Sequence, residues 1–231
     1  MSADRPNPLH EIAVTILAPS LVLMVPAGTA GIPALGWLGL ALLCPLGWGV
    51  YDFNRRRKFN LLALLGVVST LMTGGIGLMQ LDAQWLAIKE AALPTLMGTV
   101  IAASAFTQRP LIHALVFDAA LLDTVRIQNA LAERGQVAQF ERHLQWGTLA
   151  LGAVFMASGA AGYGLARWVV HSPAGSDAFN QELGRMTLLG WPMITLPTML
   201  ALAGLMWALL RSARQLSGLD MGQLFQPPPV K

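Results

Sequence analysis

Two adjacent charged residues, Lys89 and Glu90, interrupt the otherwise apolar stretch WLAIKEAALP. Ionisable groups within a membrane are costly and usually face a partner or a water-filled cavity, so this pair is the leading candidate for a functional polar site. Pro94 lacks an N–H and therefore leaves the carbonyl of Glu90 without its helical hydrogen bond. The alternative is an interfacial lysine whose ammonium reaches outward beside a solvated carboxylate.

A second group of polar residues lies just before the last apolar segment and consists of Asn180, Gln181, Glu182 and Arg185. We expect this group to lie at the same depth in the membrane as Lys89, so that opposite charges on different helices can pair. The alternative is purely structural, with Asn180 capping a helix and Glu182 pairing with Arg185 at i, i+3 spacing.

Four consecutive cations, Arg55, Arg56, Arg57 and Lys58, form the third candidate. Such a run is attracted to anionic lipid headgroups or to an acidic partner at the cytoplasmic face of a membrane. The alternative is that these residues only anchor the topology by resisting translocation.

Motifs for metal binding and nucleophilic catalysis are absent from the sequence. It contains no paired Cys/His spacing, no GxSxG, no HExxH and no Walker-type loop, and its single cysteine is Cys44. Zinc or nucleophilic chemistry normally requires such sets. We therefore predict no catalytic residue, no metal and no cofactor, and expect a protein that is not an enzyme.

The composition indicates that lipid, and not water, surrounds most of the chain. Of the 231 residues, 55% are hydrophobic and only 12% are charged, which lies outside the range of ordinary soluble domains. The net charge of +3 comes from short basic clusters between apolar runs, and these do not form the continuous stripe typical of nucleic-acid binding. We predict no nucleic-acid partner.

Six apolar segments are candidates for helical membrane spans, since a helix needs about 20 apolar residues to cross the hydrocarbon core. The sequence thus predicts an all-α membrane protein, with 1–231 as a single polytopic domain and its spans arranged as three hairpins. Whether the first segment crosses fully stays open. The predicted segments are 12–26, 32–50, 59–81, 85–106, 146–170 and 186–210.

The basic residues predict the orientation of these spans, because Lys and Arg tend to remain on the cytoplasmic side. One side has only Lys89, Arg167 and Arg185, whereas the other twelve of the 15 basic residues lie on the opposite side. Both termini are therefore expected in the cytoplasm.

The stretch 111–134 has apolar residues at helical spacing and predicts a helix on the cytoplasmic face. Asp118 and Asp123 interrupt the pattern, so lipid contact and packing against the ends of the bundle both stay open.

Three stretches, LGWGVYDFNRRRKFN, WLAIKEAALPTLMGTVIAASAFTQRPLI and FNQELGRMTLLGWPMITLP, carry a resemblance to a known family. Over roughly residues 10–215 the chain resembles bacterial inner-membrane proteins of the intracellular septation protein A type. Those proteins share a basic loop after the second span, a Lys-bearing outer half of a later span and a cytoplasmic Arg/Lys-Pro-Leu turn. Here that turn is Arg109-Pro110-Leu111, whereas the insertion 114–145 departs from the pattern.

The resemblance implies a non-catalytic protein of the bacterial inner membrane. It also implies a part in cell-envelope synthesis or division through membrane protein partners.

A competing hypothesis is a small-solute or lipid transporter with a charged site near Lys89 and Glu182. It comes from a weak internal repeat: the third and fourth spans read as a glycine-cluster helix, a short loop with Trp85, charged residues and a proline-containing helix, and the fifth and sixth spans repeat this pattern. Parallel repeats of this kind occur in some transporters, with sites between the repeats.

Overall fold

All the regular elements in the described residues are helical, which confirms the predicted all-α class. The computed structural model describes residues 17–26, 29–56, 61–107, 110–112 and 124–224. The helices are α1 (Ala18–Leu23), α2 (Ala34–Arg56), α3 (Leu61–Leu78), α4 (Ala83–Ser104), α5 (Thr124–Glu133), α6 (Val137–Val169), α7 (Asp177–Gly190), α8 (Leu196–Ser217) and α9 (Met221–Leu224). A 3₁₀ turn, Thr29–Gly31, precedes α2, and a π-helical turn, Trp191–Thr195, joins α7 to α8.

Three helical stretches in the described part of the chain are long and apolar enough to cross a membrane. They are α4, α6 and the continuous stretch Asp177–Ser217 formed by α7, the π turn and α8. These stretches contain the fourth, fifth and sixth predicted segments, apart from one or two residues at a segment's end. A shorter apolar stretch, Ala34–Gly47, lies in α2, while residues 12–16 of the first predicted segment lie outside the described residues.

The helices that contain the last two predicted segments extend well beyond them. α6 begins at Val137, about two turns before residue 146, because Glu141 and Arg142 lower the hydropathy without breaking the helical hydrogen bonds. α7 begins at Asp177, where the Ser176 side chain accepts a hydrogen bond from the Phe179 N–H. Apolar length therefore predicts the spanning segment but not the ends of the helix.

Contacts divide the chain into two compact units. The first unit comprises Met1–Ala92 and Ala161–Thr195. Within it, α1 and α3 pack on α2, and α7 packs on both α1 and α2. Leu38, Leu86 and Phe179 are fully buried in its core.

The second unit comprises Leu93–Ala160 and Leu196–Lys231, and in it α5 packs on α8 and α9. Ile112, Ile127 and Leu131 are buried in its core. In the segment predicted as an interfacial helix, these three residues are thus covered by protein, while Leu111 and Val125 are exposed. Residues 113–123, with both interrupting aspartates, lie outside the described residues.

Two glycines bring α4 and α6 into backbone contact within the second unit. A Cβ on Gly98 would lie 2.7 Å from the Gly152 carbonyl oxygen, and a Cβ on Gly152 would lie 2.7 Å from the Gly98 carbonyl oxygen. Cβ atoms do not approach backbone that closely, so only glycine permits this crossing.

Candidate functional site

Lys89 is a partly buried lysine whose ammonium contacts two neighbours. Its Nζ lies 2.6 Å from Glu90 Oε1 and donates to Thr73 Oγ1 over 2.7 Å, and its side chain is only 9% exposed. Thr73 in turn donates to the Ser69 carbonyl at 3.1 Å. The charge is therefore held inside a short polar chain that links α4 to α3.

The start of α4 places this lysine at the end of its second turn. A short turn with Gln80 at φ 52° ends α3, and the Asp82 carboxylate then accepts a hydrogen bond from the Gln84 N–H at 2.7 Å. This satisfies one of the first N–H groups of the helix, which have no intrahelical partner.

The carbonyl of Glu90 lies next to a glycine of α6. A Cβ on Gly162 would be 3.4 Å from that oxygen, which is ordinary contact. Pro94 provides no N–H for the same carbonyl, so the usual hydrogen bond from residue 94 is missing within helix α4.

Glu182 has a different set of partners from Lys89. Its carboxylate accepts hydrogen bonds from the His171 N–H at 2.9 Å, from the Ser172 N–H at 2.9 Å and from the Ser172 hydroxyl at 2.8 Å. It lies before the apolar segment 186–210. Burial opposes ionisation, but these hydrogen bonds outweigh it and hold the pKa of Glu182 below its ordinary value of 4.5.

Asn180 is fully buried and joins two helices of the first unit. Its Nδ2 donates to the Ala34 carbonyl at 2.6 Å, while its Oδ1 has no hydrogen-bond partner. The expectation that Asn180 caps a helix is wrong, because the capping residue is Ser176 and Asn180 lies within the first turn of α7. Its role is to fix α7 against the start of α2.

The other residues predicted as candidate sites make few contacts in the structure. Arg185 is exposed, and both oxygens of Glu182 already have other donors, so these hydrogen bonds take the place of the predicted Glu182–Arg185 pair. Arg55 and Arg56 end α2, while Arg57 and Lys58 lie outside the described residues. The structure thus joins Lys89 to Glu90, and gives Asn180 and Glu182 separate partners.

In the ranges that the structure describes, no group of three or more His, Cys, Asp or Glu side chains is arranged to hold a metal ion. The candidate groups donate and accept hydrogen bonds between helices or between a helix and a loop. That arrangement can position helices against one another and against a loop.

Several residues that contribute to these contacts were not predicted from the sequence. Thr73 and Ser172 complete the two polar clusters, but they are distant in sequence from Lys89 and Glu182, and no motif marks them. Gly98 was detectable, because Gly98 and Ala102 form the small-xxx-small spacing of close helix contacts. In the glycine cluster of the third predicted span, a Cβ on Gly77 would meet Leu38 and Phe179, whereas a Cβ on Gly75 would meet nothing within 4 Å.

Comparison of the chain with protein-family models, curated proteins and solved structures gives no significant match.

Proposed function

We propose that this chain is a non-catalytic, multi-pass protein of the bacterial inner membrane that acts in cell-envelope synthesis or division by binding other membrane proteins. The role in the envelope comes from the sequence resemblance to the septation protein A type. The membrane setting is supported by three helical stretches that are long and apolar enough to span a bilayer.

The main support for a structural role, and not a solute-binding one, comes from the contacts that Lys89 makes. A charged group that binds a solute normally faces a wet cavity and keeps hydrogen-bonding capacity for its ligand. The Lys89 side chain is instead only 9% exposed, and its ammonium contacts Glu90 and Thr73. This supports a role in holding α4 against α3.

Binding to other membrane proteins is supported by the exposure of the last helical stretch. Only 6% of the apolar window within Asp177–Ser217 is buried, against 33% for the window within α6. A surface that the chain itself leaves uncovered is available to lipid and to partner helices.

The alternative, a small-solute or lipid transporter, requires a charged site near Lys89 and Glu182. Each of these residues has its own hydrogen-bond partners. These contacts favour a structural role for the two residues over a charged site that binds a transported solute.

Crosslinking in living cells tests the proposed role. With photo-crosslinkers at exposed positions of α8, such as Met199, we expect to recover membrane proteins of envelope synthesis or division. Crosslinkers at buried Leu209 serve as the control and should recover none. A deletion strain with normal cell shape, septation and envelope integrity would count against the role.

We further propose that the chain crosses the membrane six times, in three hairpins, with both termini in the cytoplasm. The excess of basic residues on one side supports this orientation. Reporter tags placed on each terminus in turn should both respond from the cytoplasmic side. Responses from opposite faces would require an odd number of spans and would overturn the topology.

A further inference from the structure

One face of α8 changes from apolar to cationic along its length. Leu196, Leu200, Gly204 and Trp207 follow one another at helical spacing and are all exposed, with Leu200 at 65% and Trp207 at 57%. Arg211 and Arg214 continue the same face towards the C-terminal end of the helix. We call this set the α8 stripe: Leu196, Leu200, Gly204, Trp207, Arg211 and Arg214.

The apolar part of the stripe contains a shallow depression. A Cβ on Gly204 would have no atom of the protein within 4 Å, so the space between Leu200 and Trp207 is open. From Leu196 to Trp207 the helix rises by about 16 Å, which is close to half of the roughly 30 Å hydrocarbon core. The apolar part therefore matches the depth of one leaflet.

The cationic end of the stripe opens into a cavity of about 530 Å³. Trp207, Arg211, Arg214 and Asp220 are among the residues that line it. The Arg211 guanidinium lies over the Trp207 ring at 5.3 Å from its centroid, which turns the charge back towards the apolar segment.

A third cation lies against one of the residues that line this cavity. The Arg134 guanidinium occupies the space where a Cβ on Gly218 would lie, and Gly218, at φ +69°, is itself a lining residue. Asp220 is the one acidic residue in the lining, so the positive groups outnumber the negative one.

We propose that the α8 stripe binds one anionic phospholipid, with its phosphate between Arg211 and Arg214 and an acyl chain in the depression at Gly204. Guanidinium groups donate paired hydrogen bonds to phosphate oxygens, and tryptophan is favoured at the level of the headgroups. The Asp220 carboxylate lies where it can accept a hydrogen bond from a polyhydroxyl headgroup such as glycerol. The inference rests on the chain lying in a membrane and not on its role in the envelope.

The headgroup site is tested with the full chain reconstituted in vesicles of mixed phosphatidylglycerol and phosphatidylcholine. After detergent extraction, the ratio of the two lipids retained per protein is measured by mass spectrometry. We expect retention to favour phosphatidylglycerol. A cation near an anionic headgroup contributes about a fivefold preference, so Arg211→Gln with Arg214→Gln should reduce the preference by roughly 25-fold.

Arg167→Gln is the matched control for charge, because Arg167 is an exposed arginine near the end of α6. It should leave the preference unchanged. An unchanged preference in the Arg211/Arg214 double variant would overturn the proposal. Loss of the preference in excess inorganic phosphate, compared with chloride at matched ionic strength, would also overturn it in favour of a site for free phosphate.

The acyl-chain site is tested by Gly204→Leu, which fills the depression. The open space at Gly204 means that the substitution meets no other part of the protein, and leucine favours the helix. We expect less lipid of either kind to be retained at unchanged helical content, whereas Gly164→Leu, at an equally open helical glycine, retains the wild-type amount. Wild-type retention in Gly204→Leu, or a crosslinked second protein on this face in place of lipid, would contradict the proposal.

Discussion

The side-chain amide of Asn180 donates a hydrogen bond to the backbone carbonyl of Ala34 over 2.6 Å and so ties α7 to the first turn of α2. Asn180 has no exposed surface, and its Oδ1 accepts no hydrogen bond. Because this buried amide uses only its NH₂ group, the residue at position 180 must be able to donate a hydrogen bond.

Replacing Asn180 by residues that cannot donate is therefore expected to destabilise the protein in a defined order. Asn180→Ala removes one buried hydrogen bond and should cost about 1–3 kcal/mol. Asn180→Asp puts an acceptor, or a buried charge, against the Ala34 carbonyl and should cost more than the alanine change. Thermal unfolding in detergent measures both, and equal midpoints for the two variants would contradict the assigned donor.

The sequence predicts the helical class and the last three apolar segments because apolar length is a local property of the chain. It does not predict that Lys89 meets Thr73, since that contact depends on how α3 and α4 are rotated about their axes. It also does not distinguish Glu182 pairing with Arg185 from Glu182 accepting N–H groups of a loop, because both lie within reach of one side chain. Apolar length predicts the candidate spans, whereas the buried face of each helix and the polar contacts depend on the tertiary packing.

Neutralising Glu182 is expected to loosen the loop between α6 and α7. Glu182→Gln keeps the size of the side chain but turns an NH₂ group towards donors at His171 and Ser172. Hydrogen bonds to a charged group contribute about 1.5–3 kcal/mol, and partial exposure of this carboxylate reduces the expected cost to about 1 kcal/mol. Hydrogen exchange at the Ser172 amide should rise in the variant. Unchanged exchange there would show that the carboxylate does not hold the loop.

The same carboxylate makes a pH-dependent contribution to stability. Because folding lowers the pKa of Glu182, its contribution is fully present above the ordinary value of 4.5 and is lost as the pH falls through the lower folded pKa. The difference in unfolding midpoint between the wild type and Glu182→Gln should therefore be constant near neutral pH and shrink below pH 4.5. Subtracting the two curves cancels the titration of the other acids, and a difference that grows on acidification would have the wrong sign.

Removing the ammonium of Lys89 is expected to lower the abundance of the protein. Lys89→Ala leaves Glu90 without its ion partner and Thr73 without its donor. Thr73→Val is the matched variant, because it removes only the hydroxyl that accepts from Lys89 and keeps the shape of the side chain. It should lower the abundance of the protein less than Lys89→Ala does.

The double change Lys89→Ala with Glu90→Ala separates the ion pair from packing. Since Glu90 is 31% exposed, we expect a coupling free energy of only about 0.5–1 kcal/mol. Normal abundance of Lys89→Ala with loss of the envelope phenotype would instead identify Lys89 as a functional site.

The crossing of α4 and α6 at Gly98 and Gly152 provides the strictest steric test. Gly98→Ala puts a methyl group 2.7 Å from the Gly152 carbonyl oxygen, and backbone cannot move aside as a flexible side chain does. The helices must separate, at an expected cost of about 1–3 kcal/mol. Gly164→Ala is the matched control, because the same methyl group meets nothing there and should stabilise the helix by about 0.5–1 kcal/mol. Opposite shifts in the unfolding midpoint are thus expected from the same chemical change, and a stabilising Gly98→Ala would rule out the close contact.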